Sequence, residues 1–132
     1  MRAREVLISG AGSGQLLRLD EPVSLWGGVG SDTGVIVDAD HPQRGVSLTG
    51  TVLAMPHARG SSGTSSGFAD LIRSGLGPAA VVLERADMML TVGAAVASRL
   101  YGVTTPVVVA DLPEGAQGIW HVNGEFLEGF SS

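Results

Sequence analysis

Residues 79–110 read AAVVLERADMMLTVGAAVASRLYGVTTPVVVA, and this stretch decides the fold class. Ala79–Leu83 and Pro106–Ala110 are continuous apolar runs with no polar face. A strand that is apolar on both sides must be covered on both sides, which suits a buried parallel strand and not a one-sided meander. Between the runs, Asp87–Tyr101 carries Met88, Leu90, Val92, Ala95, Val96 and Leu100 at helical spacing. Asp87 suits the N-cap and Gly102 the position just past the C-terminus.

Upstream, Thr64–Ser74 has Phe68, Leu71 and Ile72 at helical spacing and stops at Gly75. Ser47–Met55 is an apolar strand interrupted by Gly50. Earlier pieces are shorter: Glu5–Ser9 is β-type, Gly10-Ala11-Gly12-Ser13-Gly14 turns it, and Gln15–Leu19 continues until Glu21-Pro22. A Gly27–Gly30 loop precedes a strand at Gly34–Asp38, which Asp40-His41-Pro42 ends. Downstream, Ile119–Val122 and Glu125–Leu127 form a hairpin around Asn123-Gly124. With no repeat and no linker, the expectation is one α/β domain over 1–132, a mixed sheet or barrel with two main helices.

Composition narrows the function. At 132 residues, 44% hydrophobic and 16% charged, the chain can bury a core, and disorder is excluded. The net charge is −5 and the eight basic residues, all Arg, are scattered from Arg2 to Arg99. Duplex binding needs clustered cations, so nucleic acid is not an expected partner. No apolar run reaches the length of a signal or membrane segment, and the expectation is a soluble, cytoplasmic chain without a membrane partner. The absence of Cys removes disulfides, thiolate nucleophiles and any iron–sulfur cluster ligated by this chain.

Several motifs invite chemistry. Gly10-Ala11-Gly12-Ser13-Gly14 follows a strand, but a dinucleotide fingerprint needs a third Gly where Gln15 stands, and then a helix. A hairpin turn accounts for it better. Asp38, Asp40 and His41 lack a further metal ligand and suit a plain turn. His121 suits a surface or packed position in the hairpin.

The stretch Pro56-His57-Ala58-Arg59-Gly60-Ser61-Ser62-Gly63-Thr64 differs. It leaves a buried strand and enters a helix, the crevice where α/β sheets bind ligands. Free N–H groups at the helix start attract an anion, and the Arg59 fork fits a carboxylate or phosphate. A Ser-rich capping loop explains the same residues. A Ser–His hydrolase using His57 lacks both the G-x-S-x-G spacing and a third member to orient the histidine.

Three segments together resemble the small, swivel-domain subunit of the aconitase X family. They are Asp20–Val29, then Asp32-Thr33-Gly34 with Asp40-His41-Pro42, and Arg59-Gly60-Ser61-Ser62-Gly63-Thr64. Gly75-x-Gly77-Pro78-Ala79-Ala80 and Gly93–Ala97 also fit, whereas Gly30-Ser31 departs from an Asp-Pro turn frequent in the family. The resemblance implies a swivelling β/β/α fold and a hydro-lyase assembled with a large aconitase X subunit. That partner would hold the iron–sulfur cluster through its own cysteines. Family activities dehydrate a small hydroxy acid, cis-3-hydroxy-L-proline in bacteria or mevalonate 5-phosphate in archaea. The all-Arg, Gly/Ala-rich composition leans toward the first. By resemblance Ser61 is the proton acceptor, Arg59 holds the substrate carboxylate, and Gly60, Ser62 and Thr64 contact substrate. Trp26-Gly27-Gly28 lines the closed site or the interface, or else Trp26 is a core residue. The expectation is a heterodimer or a larger assembly of the two chains whose small chain is inactive alone, against a stand-alone module that binds a small anion without chemistry.

Overall fold

The computed structural model describes residues 1–25, 27–57 and 63–130, with the side chain of residue 130 left aside. Three parallel strands form its centre: β3 (Val52–Met55), β4 (Ala80–Leu83) and β5 (Val107–Val109). Both faces of each strand are buried, as the continuous apolar runs require. Leu53, Met55, Val81, Leu83 and Val107 face α1 (Thr64–Arg73) and α2 (Met88–Tyr101). Val52, Ala54, Ala80, Val82 and Val108 join a second cluster with Leu16, Trp120 and Leu127.

The flanking strands bend around that second cluster. β2 (Ala11–Arg18) pairs parallel with β3 and antiparallel with β6 (Ile119–Asn123), which pairs with β7 (Phe126–Phe130). β1 (Glu5–Ile8) lies antiparallel to β5, giving the order β1-β5-β4-β3-β2-β6-β7. The residues before β1 then join the two edges. Ala3 N donates to Glu125 O at 2.7 Å, and Leu127 N to Met1 O at 2.9 Å. Arg2 bridges to Phe126 and stacks its guanidinium over that ring. The sheet thereby curls into a barrel-like layer with no long unpaired edge.

Both helices start and stop close to where the sequence places them. The Asp87 carboxylate accepts from Leu90 N at 2.9 Å, and Gly102 adopts the left-handed conformation at φ 70°. An N-cap of this kind contributes about 1 kcal/mol. Asp87→Ala should lower the folding free energy by that amount, read as a reduced urea midpoint at unchanged slope. The helices cross closely at Gly93, where an added Cβ would lie 2.6 Å from the Ser65 carbonyl oxygen.

Three expectations are corrected. Gly10–Gly14 does not turn: residues 11–18 run as one strand, and Gly12 and Gly14 admit carbonyls too close for any side chain. The strand expected at Gly34–Asp38 shrinks to isolated bridges, Val29 to Ile36 and Val35 to Ser47, and the strand expected at Ser47–Met55 keeps only its second half as β3, because irregular chain here covers the helix-side core with Val23, Leu25 and Leu48. The hairpin turns on Gly124-Glu125, since Asn123 pairs with Phe126 and Gly124 takes φ 59°.

Candidate functional site

Four parallel strands, β2 to β5, end on the same side of the sheet, and the chain leaves β3 there through Pro56 and His57. Both helices also begin at this end. α2 is capped by its own Asp87. α1 is different: its N-cap is Gly63, which supplies no side-chain cap, and its first turn holds no acidic residue. Ser66 Oγ turns back to the Gly63 carbonyl oxygen at 3.2 Å. The partial positive charge at the start of α1 therefore has no carboxylate beside it within the helix, the condition under which a helix start attracts an anion.

The residues that the sequence singles out fall unevenly. Arg59, Gly60, Ser61 and Ser62 lie outside the described residues, as does Trp26. Thr64 opens α1 and is fully buried, while His57 is half-buried at the exit of β3. His41 is spent on structure: its Nδ1 accepts from Gln43 N and its Nε2 faces Glu21 O, each at 3.0 Å. Because Nδ1 accepts a backbone N–H, Nε2 carries the proton and donates. Asp38 Oδ1 accepts from Asp40 N at 3.0 Å, an Asx turn. His121 is exposed on β6. Among the described residues no group of three His, Asp or Glu side chains could hold a metal ion. With no Cys in the sequence, this chain does not fit an iron–sulfur cluster as its own ligand set.

Sequence reasoning missed a hollow at the mouth of the barrel. It has a volume of about 130 Å³, with Ala54, Val82 and Ala110 below and Arg18, Asp20 and Glu84 around it. Arg18 reaches across from β2, donating to Pro113 O at 2.8 Å and Leu112 O at 3.3 Å. One signal was available. Gly12, Gly14, Leu16 and Arg18 share one face of a strand by period-2 spacing, so an arginine ends a row that otherwise lines the core.

The aconitase X swivel domain family matches residues 1–120. The cis-3-hydroxy-L-proline dehydratase of Pseudomonas aeruginosa is 41% identical over 101 residues, covering 76% of this chain and 17% of that protein. The chain thus spans about a sixth of that relative's length. The phosphomevalonate dehydratase small subunit of Pyrococcus furiosus is 35% identical over 91 residues, covering 69% of this chain and 68% of that subunit. In structure, the chain is similar to aconitase X of Thermococcus kodakaraensis in its holo-form. The TM-score is 0.85 at 26% identity, with 98% of this chain and 97% of the other covered. The seven-stranded mixed sheet, its two helices and the end of β3 opening into the start of α1 are thus the architecture of a known group, and the chain belongs to the aconitase X swivel-domain family.

Proposed function

We propose that residues 1–132 act as the small catalytic subunit of a two-chain, iron–sulfur-dependent hydro-lyase of the aconitase X type that dehydrates cis-3-hydroxy-L-proline. The observation that carries it is the 41% identity to a cis-3-hydroxy-L-proline dehydratase, together with an α1 start whose N-cap is a glycine and whose first turn holds no acidic residue. The cluster belongs to the partner in this reading, and when bound it supplies a Lewis acid for the departing hydroxyl. On this chain, Arg59 holds the substrate carboxylate with Gly60, Ser62 and Thr64 at its side. Ser61 Oγ takes the carbon-bound proton as the hydroxyl leaves with its electron pair, and a double bond remains.

An apolar row on α2 supports a partner chain. Met88, Val92 and Leu100 stand 79%, 42% and 70% exposed along α2, while Val96 between them packs against the helix-side core. Apolar surface gathered this way on a small domain marks contact with another protein. No described helix is long and apolar enough to cross a membrane.

The second reading is the small subunit of a phosphomevalonate dehydratase, favoured by relatives that this chain matches over most of their length. An anaerobic assay of the co-purified pair, offering both substrates with each chain alone as control, separates the two. Turnover of cis-3-hydroxy-L-proline by the pair alone is the expected result. Turnover of mevalonate 5-phosphate instead establishes the second reading. No turnover, with tight anion binding by the small chain, establishes a binding module.

A further inference from the structure

Between β2 and β3 the chain holds no helix and no strand among its described residues, only isolated bridges. Side chains and single backbone bonds must therefore fix its path. His41 and Gln43 supply them. The His41 ring, 5% exposed, spans two backbone groups of opposite polarity: Nδ1 accepts from Gln43 N and Nε2 donates to Glu21 O, each at 3.0 Å. Gln43 uses both ends of its amide, with Oε1 accepting from Asp20 N at 2.8 Å and Nε2 donating to Arg18 O at 3.1 Å. The backbone of Arg18, Asp20 and Glu21, at the end of β2 and just past it, is thus fastened to residues 41 and 43. From there the chain passes to the start of α1. Val23, Leu25 and Val29 are buried in one cluster with Phe68, Ala69 and Leu71. Leu25, Gly27 and Val29 line a groove of about 310 Å³ with Ser66, Gly67 and Asp70 of α1. Backbone bonds hold this far half: Gly28 O accepts from Val37 N at 2.9 Å and from Asp38 N at 3.3 Å, and Gly30 N donates to Val35 O at 2.8 Å. His41 N donates to Asp38 O at 3.1 Å, which ties the two anchors together.

We infer that His41 is a positioning residue for the site at the start of α1: with Gln43 it clamps residues 18–30 as a strap whose far half walls the first turns of that helix. The inference rests on the hydro-lyase reading above and adds a residue that acts through the strap and does not touch substrate. The start of α1 carries the partial positive charge of the site, and the strap packs against it. A loose strap lets that charge drift relative to the reacting groups. A misplacement of about 1 Å, caused far from the chemistry, costs on the order of a hundredfold in rate.

The test uses the co-purified pair, two readouts and two replacements of His41 that divide its bonds. Asparagine places Oδ1 where Nδ1 stands and keeps the bond from Gln43 N, but it does not reach Glu21 O. Glutamine places Nε2 where the ring nitrogen stands and keeps the bond to Glu21 O. In His41→Asn, hydrogen exchange over residues 18–38 should quicken about tenfold or more while residues 80–83 of β4 stay protected, the mark of local release. Its kcat should fall about tenfold or more with KM within about twofold of wild type. His41→Gln should restore most of both. Gln43→Ala, which removes the bonds to Asp20 N and Arg18 O, should repeat the effect of His41→Asn without touching the buried ring. Unchanged exchange in both His41→Asn and Gln43→Ala overturns the clamp. Quickened exchange with wild-type kcat, or a glutamine that does no better than asparagine, overturns the positioning role and leaves the hydro-lyase reading standing. Clamp-dependent exchange in a pair that turns over neither substrate upholds the clamp and removes the hydro-lyase reading.

Discussion

Ser61→Ala in the assembled pair is expected to cut kcat for dehydration by about 10²–10⁴-fold, the range over which a positioned proton acceptor accelerates a reaction. The substitution removes one oxygen and no apolar surface, so pairing with the large subunit should persist on size exclusion. A serine accepts a proton from carbon only as its alkoxide, and the alkoxide needs compensating positive charge. Two sources lie next to Ser61 in sequence: the guanidinium of Arg59 and the start of α1, which begins at Thr64 behind a glycine N-cap. At an exposed site the helix start contributes only about 0.3–1 kcal/mol. Water exclusion by the partner must supply the remainder, and that is why the small chain alone is expected to be inactive.

Two companion substitutions sharpen the reading. Ser62→Ala should cost far less in kcat, because a hydrogen bond to substrate is not the proton acceptor. Arg59→Lys keeps a charge but loses the planar fork that fits a carboxylate, so its loss should fall on KM. Full activity in Ser61→Ala with loss in Ser62→Ala would move the proton to the neighbouring serine.

Local chemistry made much of the fold legible. The apolar runs at 79–83 and 106–110 became the parallel strands β4 and β5, and Asp87 and Gly102 cap α2 as residue types alone suggest. The order of β3 and α1 was legible too, whereas the site expected at Arg59–Ser62 lies outside the described residues. What escaped depends on distant chain. Residues 1–3 pair with 125–127, an association that no local pattern encodes. Arg18 sits at the barrel mouth because β2 lies parallel to β3, and the antiparallel hairpin expected there hides this. Irregular segments around Val29 and Ile36 looked like strands because burial, and not strand pairing, selects their apolar residues.

Gly12 and Gly14 carry the sharpest form of that lesson, and they yield the largest expected stability effect. A Cβ on Gly12 would stand 2.1 Å from the Ala79 carbonyl oxygen, and one on Gly14 would stand 2.1 Å from that of Gly50. Both obstacles are backbone atoms at the entries to β4 and β3, where Ala79 N donates to Thr51 O at 2.7 Å. Neither obstacle can rotate away as a side chain would, so relief requires β2 to move off the strands it closes against. Overpacking costs typically about 1–3 kcal/mol even where side chains can adjust, and here they cannot. Gly12→Ala and Gly14→Ala should therefore each cost about 3 kcal/mol or more, a large share of the 5–15 kcal/mol typical of a whole domain. The double substitution should leave no cooperative unfolding transition. Gly10→Ala meets first the Thr104 methyl at 3.0 Å, a side-chain tip that can shift, and should cost much less. Ser13→Ala, exposed between the two glycines, should fall within about 0.5 kcal/mol of wild type. Urea denaturation of the four variants reads this order directly. If Gly12→Ala and Gly14→Ala proved as stable as Ser13→Ala, close backbone approach would not be the reason for these glycines, and a ligand-facing role for the Gly10–Gly14 stretch would return to consideration.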